Sequence, residues 1–94
     1  MDYSERIQDI RAFIQEQEQS LLDDWFQLSS HVSVSEIGEG VEECCDWIYG
    51  KMAALGLAVQ KYDVRPFPVL VGRTHRDPAK KTVLLYAHYD VKPA

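Results

Sequence analysis

A chain of 94 residues, 46% apolar and 27% charged, has the composition of one ordinary soluble domain and is too short to bury a large core. Ten basic against fifteen acidic side chains give a net charge of −5, which speaks against a strongly basic nucleic-acid binder. No low-complexity run, internal repeat or stretch of about 18 apolar residues occurs, so disordered, solenoid and membrane-span readings fall away.

The charge is unevenly spread. Residues 1–50 hold two basic and twelve acidic side chains, net −10, and residues 51–94 hold eight basic and three acidic ones, net +5. The basic residues of the second half are scattered and lack stacking aromatic partners, so they read as a solvated surface with no nucleic-acid contact. The opening MDYSERIQDI is acidic and has no basic-then-apolar signal segment, which makes the cytoplasm the expected compartment. Cys44 and Cys45 are the only cysteines and are adjacent. Neighbours on a helix point in different directions, so the pair reads as two core thiols rather than a disulfide or a CxxC redox motif.

In chain order, Ile7, Ile10, Phe13, Ile14, Leu21, Leu22, Trp25 and Leu28 recur at helical steps and predict one helix over about residues 4–29. Ser4, with Asp2 and Glu5 beside it, suits its start. SSHVSVS then breaks the pattern. Val41, Cys44, Cys45, Ile48, Met52 and Leu55 predict a second helix over about 40–55, with Gly56 as the left-handed residue that ends it. Strands are predicted at about 57–64, 69–73 and 82–87. The first two are separated by the prolines of RPFP, which cannot donate to a ladder, and the last two by the charged turn THRDPAKK. TVLLYA (82–87) is short and wholly apolar apart from its ends, the pattern of a strand buried on both faces. Two helices and three strands cannot cover such a sheet, so the expected fold class is α/β, as the opening part of a larger fold. A sheet cut at that point leaves an edge open to pairing, and self-association is its physical consequence.

His88 and Asp90 follow the last predicted strand, at the carboxyl end where open α/β sheets gather their ligand sites. In extended chain, residues 88 and 90 point to the same side. A carboxylate that accepts one ring N–H fixes the histidine tautomer and leaves the other nitrogen for a metal. H-x-D spacing alone more often marks a hydrogen-bonded structural histidine. His31, in the turn between the helices, and His75, in the charged loop, read as surface histidines. Asp23–Asp24 and Glu42–Glu43 read as solvated helix faces. No Gly-rich phosphate loop or Gly-x-Ser-x-Gly turn supports nucleotide use or serine hydrolysis.

TVLLYAHYDVKPA resembles the signature of the dizinc metallopeptidase family that includes carnosine dipeptidases, aminoacylases, carboxypeptidase G-type enzymes and succinyl-diaminopimelate desuccinylases. The dipeptidase branch is the most similar, with an apolar strand followed by Gly-His-Tyr-Asp-Val-Gln-Pro; Ala87 and Lys92 stand where the glycine and glutamine would be. Upstream, LSSHVSVS is similar to the family's Leu-x-Ile-Pro-Ser-Val-Ser turn, without its proline. CCDWIYGKMAALGLAVQKYDV and FPVLVGR are similar to the helix and strands that follow it.

The resemblance implies that residues 1–94 are the incomplete N-terminal part, two helices then three strands, of a zinc-exopeptidase-like three-layer α/β/α catalytic domain. It implies that His88 is a ligand to one of two Zn2+ ions, with Mn2+ or Co2+ as substitutes, and that Asp90 orients its ring. Dipeptides or N-acylated amino acids are the substrates implied. The remaining ligands and the glutamate base would lie downstream of Ala94, so the chain alone is expected to be inactive. The competing expectation is a non-catalytic interaction module built on the same fold.

Overall fold

The computed structural model describes residues 3–34, 38–64 and 67–92. Asp2, Ser35, Pro66, Pro93 and Ala94, which belong to sequence features named above, lie outside them. The described elements are three helices, α1 (Ser4–Glu16), α2 (Glu18–Ser30) and α3 (Val41–Ala54), followed by two strands, β1 (Ala58–Tyr62) and β2 (Val69–Arg73). The chain is thus α/β. It divides into two compact units, Met1–Ser30 and His31–Ala94.

In the first unit the single helix expected over 4–29 is interrupted at Gln17, where φ and ψ are −96° and 4°. Backbone bonds of the α type remain on both sides, from Gln17 N to Phe13 O at 3.0 Å and from Leu21 N to Gln17 O at 2.8 Å. The interruption falls in the polar run between Ile14 and Leu21, where no apolar side chain is available to pin the helix by packing. Neither helix buries a residue. The predicted stripe is present, but Ile7, Ile10, Phe13, Ile14, Leu21, Leu22 and Trp25 are all exposed.

The second unit is built on α3. It begins at Gly40, whose φ is +71° and where an added Cβ would stand 1.5 Å from the Val32 carbonyl oxygen. Only glycine fits both the backbone conformation and that approach. The helix ends as the sequence predicts, with Gly56 at φ +87°. Gly56 N bonds to Ala53 O at 3.0 Å and Leu57 N to Met52 O at 3.2 Å, the paired bonds of a Schellman motif. The motif turns the chain directly into β1.

β1 and β2 form an antiparallel pair with Ala58 opposite Arg73 and Tyr62 opposite Val69. β2 coincides with the predicted strand, while β1 is shorter than the predicted 57–64. α3 packs on this pair. A Cβ on Gly72 would come within 2.5 Å of the Met52 terminal methyl, so the glycine admits the helix side chain to the sheet. The Lys61 ammonium and the Glu42 carboxylate add an exposed ion pair at 2.8 Å between β1 and α3.

The third predicted strand is not formed. Residues 82–87 belong to no ladder among the described residues. Val83, Leu84, Leu85 and Tyr86 are 79 to 90% exposed. Apolar content cannot make a strand without a neighbour to satisfy its N–H and C=O groups, and this segment has no such neighbour among the described residues. The buried residues among those described are instead Ser33, Val41, Cys44, Cys45 and Pro68. Among the described residues, no helix is long and apolar enough to cross a membrane.

Candidate functional site

The segment that carries His88 and Asp90 is held by residues 33 and 34. Val34 and Val91 form an isolated parallel bridge. The Val91 amide donates to the Ser33 carbonyl at 2.8 Å, and the Ser33 hydroxyl donates to the Tyr89 carbonyl at 2.6 Å. Residues 33 and 34 are fixed in turn by the bond from the Val34 amide to Glu39 O at 3.0 Å. His88 and Asp90 are therefore not at the carboxyl end of a formed central strand, as the sequence pattern predicts. They lie beside a short backbone clip between two irregular segments.

Side chains 86, 88 and 90 nevertheless meet in the order that a period of two predicts. His88 Nδ1 is 3.3 Å from an Asp90 carboxylate oxygen. The Tyr86 hydroxyl is 2.8 Å from His88 Nε2, and the two rings meet edge to face with centroids 5.2 Å apart. In the tautomer that carries its proton on Nδ1, facing the carboxylate, Nε2 is an acceptor and Tyr86 O–H donates to it. The His88 side chain is 63% exposed and that of Asp90 24%, so the histidine faces solvent and the carboxylate is tucked behind it. The carboxylate and the imidazole anticipated from the sequence thus lie side by side. Tyr86 occupies the nitrogen left over, a contact that sequence reasoning missed although 86 and 88 share the same alternation.

Tyr89 faces the opposite way and is half-buried. Its ring meets Phe67 edge to face at 5.3 Å, and its hydroxyl donates to the Pro68 carbonyl. Burial, with Cys45 hydrogen-bonded to it, pushes the phenol well above its ordinary range. Burial likewise raises the thiols of Cys44 and Cys45, against the lowering effect of hydrogen bonds with Ser33 and Tyr89 respectively. Thiols held protonated in this way are poor nucleophiles and poor metal ligands.

The other histidines stand apart in role. His31 lies against Trp47 with ring centroids 5.8 Å apart, and Lys51 Nζ is 5.5 Å from the centre of the same indole. His75 is exposed in the loop after β2. Glu42 is engaged by Lys61. Among the described residues, no group of three or more His, Cys, Asp or Glu side chains converges on a common point. The residues present thus fit one corner of a metal centre, an imidazole nitrogen with an orienting carboxylate. They do not fit a whole catalytic zinc site, which takes three protein ligands.

The class to which this chain shows similarity is that of metallodipeptidases. Three curated relatives carry the likeness, each named a Cys-Gly metallodipeptidase. The chain is 56% identical over 36 residues to DUG1 of Candida albicans, covering 38% of this chain and 7% of that protein. It is 32% identical over 84 residues to dug1 of Schizosaccharomyces pombe, covering 72% of this chain and 18% of that protein. It is 63% identical over 27 residues to DUG1 of Saccharomyces cerevisiae, covering 29% of this chain and 6% of that protein. The chain therefore spans less than a fifth of the length of these relatives. No protein-family profile and no solved structure matches it.

Proposed function

We propose that this chain is a segment of a metal-dependent dipeptidase, with His88 Nε2 as a ligand to one metal ion and Asp90 as the carboxylate that orients the ring. The observation that carries the reading is the His88–Asp90 contact at 3.3 Å, joined to the similarity with Cys-Gly metallodipeptidases. Zn2+ is the metal that best suits an imidazole and carboxylate set, and Mn2+ or Co2+ can take its place. When bound, the metal supplies Lewis-acid activation of water and of the scissile carbonyl. Asp90 holds the Nδ1 proton and presents the Nε2 lone pair. Tyr86 covers that lone pair and must swing aside, which an exposed side chain does at the cost of about one ordinary hydrogen bond. A Cys-Gly or related dipeptide is the proposed substrate class of the complete enzyme, and the cytosol its proposed setting. The residues of this chain alone carry no hydrolysis.

Paramagnetic Mn2+ titrated into the full chain tests the ligand assignment. The His88 ring resonances should broaden at lower metal concentration than those of His31 and His75, and Asp90→Asn should weaken that preference. Equal broadening of all three histidines would remove His88 from the metal site.

A second reading is favoured by the exposure of Val83, Leu84, Leu85 and Tyr86. Under it the chain is a non-catalytic module that pairs through this segment. Size-exclusion chromatography with light scattering separates the readings: a defined dimer supports the module, and a monomer at every concentration counts against it.

A further inference from the structure

Cys44 and Cys45 are the most deeply buried side chains described, and no step proposed above uses them. Adjacent positions on a helix diverge by about 100°, so the two thiols reach different places. Cys44 lies beside Ser33, and Cys45 beside the Tyr89 phenol. The Ser33 hydroxyl donates to the Tyr89 carbonyl at 2.6 Å. The Tyr89 phenol donates to the Pro68 carbonyl. One tyrosine is thus held at its main chain and at its side chain.

We infer that Tyr89 is a positioning residue for the His88–Asp90 pair, gripped at its main chain by the Ser33 hydroxyl and at its phenol by the Pro68 carbonyl. With Tyr89 turned inward at both ends, alternation along the chain turns residues 88 and 90 outward together. The Ser33–Val91 backbone bond at 2.8 Å closes the segment immediately beyond. The adjacent cysteines pack against this clasp, Cys44 beside Ser33 and Cys45 beside the Tyr89 phenol. The inference deepens the proposed metal-ligand reading and rests on it for its functional meaning. The positioning itself is independent of whether a metal binds.

The test is the tautomer of His88 in the metal-free full chain, read from its ring nitrogen shifts at a pH where imidazole is neutral. His31 and His75 serve as internal references. The wild-type chain should hold His88 mainly as the Nδ1–H form, and Asp90→Asn should abolish that preference. Tyr89→Phe keeps the ring against Phe67 but loses the phenol bond to Pro68, and Ser33→Ala loses the carbonyl grip. Each should shift the His88 tautomer ratio about fivefold toward the free-imidazole mixture, the factor set by one ordinary hydrogen bond. His31 and His75 should not move. Tyr89→Ala should go further; should it unfold the chain, the two milder variants decide. A wild-type ratio in both Tyr89→Phe and Ser33→Ala would overturn the inference, as would a parallel shift of all three histidines. Because no metal is present, a His88 that failed to attract Mn2+ would sink the ligand reading and leave this result standing.

Discussion

Residues 33–45 and residues 82–87 make an instructive pair. The second stretch, TVLLYA, is the more apolar, yet Val83 to Tyr86 are almost fully exposed. In the first, among the described residues, a serine and two cysteines are buried beside a single valine. The difference lies in partners. Ser33 has the Tyr89 carbonyl for its hydroxyl and the Val91 amide for its carbonyl. Residues 82–87 have no strand beside them among those described, so their apolar side chains have nothing to cover them. Burial follows satisfied backbone and side-chain polarity together with apolar area, and apolar area alone does not secure it.

The largest disturbance of the buried corner should come from Gly40→Ala. The added methyl clashes with the Val32 carbonyl at a position where φ is +71°, and both effects act on the same turn. A loss of about 3 kcal/mol or more is expected in urea unfolding followed by helical ellipticity. A variant as stable as the wild type would show that the 32–40 turn does not anchor α3.

High pH should loosen the same corner. Cys44 and Cys45 have thiols raised in the folded chain above the ordinary 9.0, first through burial. A raised value means that the folded chain holds its protons longer than the unfolded chain. Their contribution is therefore fully present below about pH 9 and is lost as pH rises through the folded values. Denaturant midpoints should be flat below pH 9 and fall above it, and Cys45→Ala should flatten that fall. An equally steep alkaline fall in Cys45→Ala would assign the effect to other groups.

The smallest effect is expected on the other side of the comparison. Leu85→Ser removes an exposed apolar side chain and should change stability by no more than about 0.5 kcal/mol. It should also weaken any self-association seen by light scattering. A loss of several kcal/mol would mean that residues 82–87 are packed in solution, as the sequence pattern alone suggests.

Much of this organisation is legible in the sequence because it depends on local rules. Gly56 as a terminator, the extent of β2 and the apposition of His88 with Asp90 follow from φ preferences and the period of two. The break at Gln17 is less legible, since its polar surroundings neither require nor forbid a continuous helix. The absent third strand and the grip on Tyr89 are not local. The first depends on whether a neighbour exists, and the second on Ser33 meeting a residue 56 positions away. For Tyr89 one signal was available: a tyrosine between two outward residues of an alternating segment must face inward and needs a partner for its hydroxyl.

The proposed role of His88 and Asp90 is one corner of a metal site that the described residues do not complete. Zinc retained after exhaustive dialysis tests it most directly, measured by elemental analysis on the wild-type chain and on His88→Ala. The account predicts zinc far below one equivalent in both. One equivalent held by the wild type and lost in His88→Ala would contradict it, because it would mean that this chain gathers a complete site around that histidine.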